Sequence, residues 1–172
     1  MRSWRLIAFL AIVVAQVLVV STMAIGQQEV LDEGERVILG TRPVDPRDLF
    51  RGDYVTLAYE IGSIDTRIVT WDAPGPEAEQ VVWVVLQPEG HLHQPVAVVS
   101  TIDYVAQAAI RGVVDEIRDH IVSIRFGIEE YFVPEGRGHE VDRADSVEVV
   151  AAISDDGRAV IDHLIVDGEH WD

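Results

Sequence analysis

The sequence contains no cysteine, and this absence excludes disulfide bonds and a lipid-attachment cysteine. It also contains no lysine, so all 13 basic residues are arginines. Without these two residue types the chain has neither a serine–lysine dyad nor a cysteine–histidine pair. No Ser–His–Asp signature and no Gly-x-Ser-x-Gly motif is recognisable either. The sequence therefore gives no positive sign of an enzyme, and it predicts no cofactor.

The chain is strongly acidic, and its charged residues are unevenly distributed. All 30 acidic residues but only 11 of the 13 basic residues follow residue 26, which leaves this part of the chain with a charge of about −19. Nucleic acid and anionic lipid surfaces are poor partners for such a surface. Genome composition or a salty habitat explains the acidity, and cation binding or a basic partner is the alternative. We favour the first, because net charge bears mainly on solubility and association.

A long apolar run lies near the N-terminus. Residues 6–25 are uncharged, and about 20 apolar residues in a helix span a bilayer. Arg2 and Arg5 precede the run and no basic residue closely follows it, which predicts a single-pass anchor with a cytoplasmic N-terminus. The alternative is a cleaved signal peptide, but the apolar region of such peptides is usually about 7–15 residues long. We predict an anchor at 1–26, a linker or stalk at 27–36 and an extracytoplasmic β-domain at 37–172.

The rest of the chain is patterned like strands. Strands are predicted at 36–42, 54–61, 64–71, 80–87, 96–100, 112–117, 121–126, 146–153 and 159–166. The run at 80–87 is apolar on both faces and predicts a central strand. Short helical turns are predicted at 46–51 and 127–132, and 101–110 is ambiguous. The pattern predicts a mainly β fold, either an antiparallel sandwich or an open barrel, with one or two short helical turns.

The stretch at 45–59 combines several local signals. Asp45 before Pro46 predicts a helix start, and Gly52 can end that turn because glycine tolerates positive φ. Asp53 lies where its carboxylate can accept backbone N–H groups and hold the following turn. After it, alternation predicts that Tyr59 faces the core and Tyr54 the opposite side of the strand.

Five residues in this stretch carry a family pattern. Gly52, Asp53, Tyr54, Leu57 and Tyr59 resemble, position for position, the pattern that names the GDYXXLXY family of bacterial membrane-anchored proteins. The run at 126–136 is similar to a second block of that family. The resemblance implies membrane-anchored topology and the location of a site, and it implies no activity.

The two blocks together give the candidate site. Arg47 and Arg51 lie four residues apart on the predicted turn, where both can grip one carboxylate, and Glu129 or Glu130 can supply it. The predicted cluster contains Arg47, Arg51, Asp53, Tyr54, Tyr59, Glu129, Glu130 and Tyr131. Two interpretations stay open, a binding site or a set of contacts that only holds loops together. The first leads us to expect an accessory domain that docks on a membrane-protein partner.

Two further groups are weak candidates for metal ligation. His91 and His93 alternate in one predicted turn, and Asp155 and Asp156 lie in another. Solvated turn residues are the ordinary interpretation of both pairs. A metal- or small-ligand-binding domain and a hydrolase with an unrecognised site are the alternative functions.

Overall fold

The computed structural model describes residues 3–42, 54–72, 75–102, 107–134 and 136–171. These residues form a mainly β fold whose sheets do not close into a barrel, and an apolar helix precedes it. This confirms the predicted fold class. The predicted helical turn at 46–51 lies outside the described residues.

Helix α1 (Ser3–Glu33) includes residues 3–26 of the predicted anchor. From Ile7 onward it is long and apolar enough to cross a membrane, and its most apolar segment is not buried against the rest of the protein. The helix continues without a break to Glu33, so the stretch predicted as a linker or stalk is largely helical.

The first sheet follows directly on α1. It contains β1 (Glu35–Arg42), β3 (Ala58–Tyr59), β11 (Val147–Ile153), β12 (Ala159–Val166) and β13 (Glu169–Trp171) in the order β13-β12-β11-β1-β3. All of its strand pairs are antiparallel. The β11–β12 hairpin is the one predicted from Asp156 and Gly157, and Gly157 has the positive φ (+87°) that its turn requires.

The second sheet contains the predicted central strand. Its members are β4 (Ser63–Asp65), β5 (Thr70–Trp71), β6 (Val81–Glu89), β7 (Leu92–Val99), β8 (Ala109–Arg118) and β9 (Ile121–Arg125), in the order β4-β9-β8-β6-β7-β5. β6 lies inside the sheet between β8 and β7, as its unbroken apolar run predicted. The pairing of β5 with β7 is parallel and departs from the predicted antiparallel pattern.

A two-stranded ribbon and a short helix complete the described elements. β2 (Tyr54–Thr56) pairs with β10 (Glu130–Phe132), and α2 (Gly138–Asp142) packs against β2. One hydrophobic core joins all the sheets. Its most deeply buried large side chains are Leu39, Ile61, Ile64, Leu86, Ile110 and Leu164.

Two local predictions were wrong. The strand predicted at 64–71 is interrupted after Asp65, whose backbone carbonyl accepts the N–H groups of Ile68 and Val69 and so closes a turn. The helical turn predicted at 127–132 is instead a bend followed by β10, because the segment pairs with β2. The strand predicted at 54–61 is correct in its inward and outward faces, but it is divided at Leu57 into β2 and β3, which join different sheets. It ends in a 3-10 turn at Glu60–Gly62.

Candidate functional site

The two family-like segments meet through their backbones. In the β2–β10 ribbon Tyr54 pairs with Phe132, Val55 with Tyr131 and Thr56 with Glu130. Beyond the ribbon, the N–H of Leu57 donates to the carbonyl of Glu129 at 2.7 Å. The proximity of the two segments was predicted from sequence, and the structure provides it by strand pairing.

Tyr59 fastens the inner side of this junction. Its side chain is 5% exposed, and its hydroxyl donates to the carbonyl of Ile128 at 2.7 Å. Its ring meets Phe126 edge to face, with centroids 6.3 Å apart. Burial raises the pKa of the Tyr59 hydroxyl well above its ordinary value, and the nearby Glu129 charge raises it further. Tyr59 is therefore a neutral, structural hydrogen-bond donor.

Glu129 shapes the bend that leads into β10. Its carboxylate accepts the N–H groups of Phe126 and Gly127, the second at 2.9 Å. Gly127 has φ +82°, a conformation that glycine adopts at little cost. The Glu129 side chain thus holds backbone groups that the bend leaves without a strand partner.

Tyr131 faces inward and leads to a cluster that sequence analysis missed. Its ring contacts Trp171 at 6.4 Å between centroids. Arg137 lies over the Trp171 ring, 4.6 Å from its centroid, and pairs with Glu140 at 3.1 Å. The indole Nε1 of Trp171 also donates to Glu140, at 3.0 Å. Hydrogen bonds from Arg137 and then Trp171 lower the pKa of the Glu140 carboxyl.

The outer face of the ribbon is exposed and aromatic. Tyr54 is 52% exposed and Phe132 is 60% exposed, and their rings meet edge to face with centroids 5.5 Å apart. Thr56 and Glu130 are exposed on the same face, two residue pairs further along the ribbon. We call these four residues the aromatic ribbon. Phe132 belongs to the matching segment but was not among the predicted site residues; its place opposite Tyr54 depends on the strand register.

Three predicted site residues, Arg47, Arg51 and Asp53, lie outside the described residues. The arginine part of the predicted cluster therefore stays a prediction. Among the predicted residues that are described, the structure brings together Tyr54, Tyr59, Glu129, Glu130 and Tyr131.

A small cavity lies beside the inner side of the ribbon. It measures about 90 Å³ and lies between β2, the segment after α2, and the end of β1. Cavities that bind small molecules usually measure about 300–1,000 Å³. This one is too small to receive such a ligand without rearrangement, so the exposed face of the ribbon is the stronger candidate for recognition.

The family of the chain is shown by a comparison with family models. The model described as GDYXXLXY protein matches residues 16–164, a range that contains both segments of the ribbon. The chain belongs to the GDYXXLXY family. No curated protein and no solved structure matches the chain significantly. The family description gives a sequence pattern and no activity, so the comparison confirms the predicted family without adding a function.

In this GDYXXLXY family member the two candidate metal-ligand histidines, His91 and His93, both have protein partners. Nδ1 of His93 accepts the N–H of Ile38 at 3.1 Å, whereas Nε2 of His91 lies 2.9 Å from Glu148. The two imidazoles therefore have different partners. Within the described part of the chain, no three His, Asp or Glu side chains are placed to hold one metal ion.

The acidic pair of this GDYXXLXY family member lies in the β11–β12 turn. Asp156 accepts hydrogen bonds from the Ser154 hydroxyl and from Nε of Arg158 at 2.8 Å. These bonds lower the pKa of the Asp156 carboxyl, with the Ser154 hydroxyl contributing most. Asp155 is exposed in the same turn. The arrangement is that of a hydrogen-bonded turn.

Proposed function

We propose that the protein is a membrane-anchored, extracytoplasmic accessory domain that docks on a membrane-protein partner through the aromatic ribbon. The observation that carries the proposal is the exposure of Tyr54 and Phe132 as a contacting pair. Exposed aromatic side chains are enriched as anchors at protein interfaces, because they bury a large area for little loss of conformational freedom.

The surroundings of the pair support this role. Thr56 and Glu130 border it with polar groups, which matches the apolar centre and polar rim of a transient interface. The inner side of the same ribbon is held by Tyr59, Glu129 and Tyr131, so its outer face is preorganised. Preorganisation lowers the entropy lost on binding.

The proposed topology follows from charge and helix length. Arg2 and Arg5 precede the apolar part of α1, and the strongly acidic remainder follows it. An excess of basic residues marks the cytoplasmic side of a span, which assigns the β-domain to the opposite side of the cell membrane. A partner anchored in the same membrane then meets the domain at high effective concentration.

Site-specific photocrosslinking tests the docking proposal. A photoreactive phenylalanine analogue at Tyr54, in the full chain and in native membranes, is expected to give one discrete adduct with a membrane protein. The same analogue at Ile68, an apolar residue that is 82% exposed in the turn after β4, is the matched control. The Tyr54 adduct should be lost when Phe132→Ser is added, and equal adducts from both positions would contradict docking through the ribbon.

The topology has a separate test, because the natural chain is free of cysteine. A single cysteine at Glu77, which is exposed, should react with a membrane-impermeant maleimide on intact cells. A single cysteine at Ser3 should react only after the cells are opened. Labelling of Ser3→Cys but not Glu77→Cys on intact cells would reverse the proposed orientation.

A further inference from the structure

The end of α1 is attached to the β-domain by side-chain contacts as well as by the chain itself. Val30, in the last helical turns, is 3% exposed, and α1 packs on β11 and β12. The N–H of Gly34 donates to the carbonyl of Val30 at 2.9 Å. Arg36 donates to the carbonyl of Gly34 at 3.1 Å and also to that of Leu31. The last turns of the helix are thus packed on the domain.

This attachment places one side of the domain close to the bilayer surface. Because a helix rises about 1.5 Å per residue, Glu33 lies only about 12 Å beyond Ile25, the last residue of the apolar run. The domain also reaches back along the helix. A Cβ placed on Gly26 would lie 3.7 Å from Nη1 of Arg158, so this guanidinium is level with the first residue after the apolar run.

A cleft of about 190 Å³ opens between the helix and the domain at this level. Gly26 and Gln27 line it from α1, and Arg111 and Arg158 line it from the domain. Val30 and Phe126 give it apolar walls. The volume is several times the roughly 30 Å³ that one water molecule occupies in the liquid, which leaves room for a phosphate group.

The two arginines retain donors for an anion. The Arg111 side chain is exposed and forms no ion pair with any described residue, while its backbone N–H bonds to Gly157. Arg158 uses Nε to bond Asp156 at 2.8 Å, and its Nη1 points to the helix. Guanidinium groups that line one cleft can donate hydrogen bonds to phosphate oxygens in the planar, two-pronged geometry that arginine favours.

We infer that this cleft binds a phosphate group at the membrane surface, carried by an anionic lipid headgroup or present as inorganic phosphate. The inference rests on the proposed span by α1 and is independent of docking through the aromatic ribbon. The acidity of the whole domain opposes adsorption on an anionic bilayer, but the cleft locally presents the Arg111 guanidinium and the Nη groups of Arg158, which is also paired with Asp156. The tether supplies a high effective concentration of headgroups.

Acidic groups lie next to the cleft. Glu29, Glu33, Asp155 and Asp156 line a neighbouring cavity that shares Arg158 and Val30 with the cleft. They restrict an anion to the part of the cleft next to Arg111, which does not line the acidic cavity. This asymmetry predicts one phosphate per protein and argues against a diffuse layer of lipid.

The test uses the full chain in nanodiscs that contain phosphatidylcholine with a minor share of phosphatidylglycerol. Native mass spectrometry then identifies the lipid that the protein retains. Wild type is expected to retain one phosphatidylglycerol, with an enrichment of about tenfold over its share in the disc, the scale of a charge-assisted hydrogen-bonded contact. Arg111→Gln with Arg158→Gln should abolish the enrichment. Arg118→Gln, at the end of β8, is the matched control and should leave it unchanged.

Inorganic phosphate distinguishes the two sources. If millimolar phosphate displaces the lipid, or is itself retained in discs of phosphatidylcholine alone, the cleft takes free phosphate. If it does neither while phosphatidylglycerol stays enriched, the ligand is the headgroup. Absence of both forms of binding in wild type, or equal enrichment in the double variant, overturns the inference.

A second variant keeps the result interpretable if the double arginine variant unfolds. Gly26→Leu fills the cleft from the helix side and leaves both arginines in place. It should also abolish the enrichment while the thermal unfolding transition of the domain stays unchanged.

The topology is checked separately by cysteine labelling at Glu77 on intact cells that express the protein. If Glu77→Cys is labelled on intact cells but no phosphate binds, only the phosphate site is rejected. If Ser3→Cys is labelled instead, the proposed topology is rejected.

Discussion

The hydroxyl of Tyr59 donates a hydrogen bond to the carbonyl of Ile128, 2.7 Å away in the core. The bond joins the last tyrosine of the family pattern to the segment that precedes β10. It shows a structural reason for a tyrosine at this position: a phenylalanine would fill the same space but leave the carbonyl of Ile128 without this partner. Tyr54, the first tyrosine of the pattern, lies on the exposed face instead.

The two tyrosines should therefore respond differently to loss of their hydroxyls. Tyr59→Phe is expected to lower the free energy of unfolding by about 1–2 kcal/mol, because it removes a buried hydrogen bond and leaves an acceptor unsatisfied. Tyr54→Phe, the matched control, should change it by less than about 0.5 kcal/mol. Denaturant unfolding of the full chain in detergent, followed by tryptophan fluorescence, measures both. Equal losses for the two variants would contradict the structural role of Tyr59.

The glycines of two hairpin turns provide a second prediction. Gly157 (φ +87°) and Gly168 (φ +82°) both have left-handed backbones, but a Cβ on Gly157 would lie 2.5 Å from Cδ1 of Trp83, whereas none of the described atoms lies within 4 Å of one on Gly168. Gly168→Ala should cost about 1 kcal/mol of backbone strain. Gly157→Ala should cost about 2–4 kcal/mol, because overpacking adds to that strain. The free energies of unfolding test this order, and similar costs would show that Trp83 moves aside freely.

Much of the fold was predictable because its strands follow simple patterns. The run at 80–87 is apolar on both faces and proved to be β6 inside a sheet, and Asp-Gly between apolar runs gave the β11–β12 hairpin. The break after Asp65 was not predictable, since β-branched residues recur at the alternate positions 64, 66, 68 and 70, as in a continuous strand. There the turn is set by hydrogen bonds to the carbonyl of Asp65, which no alternation of side chains reveals.

The candidate site was predictable only in outline. The predicted contact between arginines of the first segment and Glu129 or Glu130 of the second required the two segments to meet, and β2 and β10 pair as neighbours. The helical turn predicted at 127–132 was wrong because the strand conformation of this segment depends on a partner more than 70 residues earlier in the chain, which local sequence does not reveal. Trp171 was missed for the same reason: it reaches Tyr131, Arg137 and Glu140 only through the packing of β13 against the rest of the domain.

Acid should selectively weaken the contact between Asp65 and Arg67. The Arg67 guanidinium donates to the Asp65 carboxylate at 2.6 Å and holds the pKa of that carboxyl well below its usual range. Because the folded pKa is below the unfolded one, the stabilisation is complete above the ordinary value of about 3.9 and is lost as the pH falls toward the folded value.

Arg67→Gln should therefore lower the melting temperature at neutral pH, and its difference from wild type should shrink as the pH falls below about 4. Arg143→Gln, which changes an exposed arginine without an ion pair to any described residue, is the control and should give a difference that does not vary with pH. A constant difference for Arg67→Gln would show that its ion pair contributes nothing.

The junction between α1 and the domain depends on a glycine. A Cβ on Gly34 would clash with the carbonyl of Val30 and lie 3.0 Å from that of Ile153. Gly34→Ala should loosen the packing of the last helical turns. A glutamate-specific protease should then cleave after Glu29 and Glu33 about tenfold faster, because local opening costs about 1.4 kcal/mol less free energy. Gly26→Ala, where the nearest atom is 3.7 Å away, should not increase cleavage. Equal cleavage in both variants would mean that the helix is not fixed by this contact.

The contact between Tyr54 and Phe132 should contribute little to folding, and this separates its role in stability from its role in docking. An edge-to-face pair of this kind couples by about 0.5–1.5 kcal/mol, and exposure places this one at the lower end of the range. Tyr54→Ser and Phe132→Ser, singly and together, should give a coupling energy of about 0.5 kcal/mol in denaturant unfolding. The double variant should remain folded, because the inward side chains of the ribbon, Val55 and Tyr131, are unchanged. If the double variant unfolds, the aromatic pair is required for folding. Loss of the crosslinked partner in such variants would then follow from unfolding and would contradict a separate role in docking.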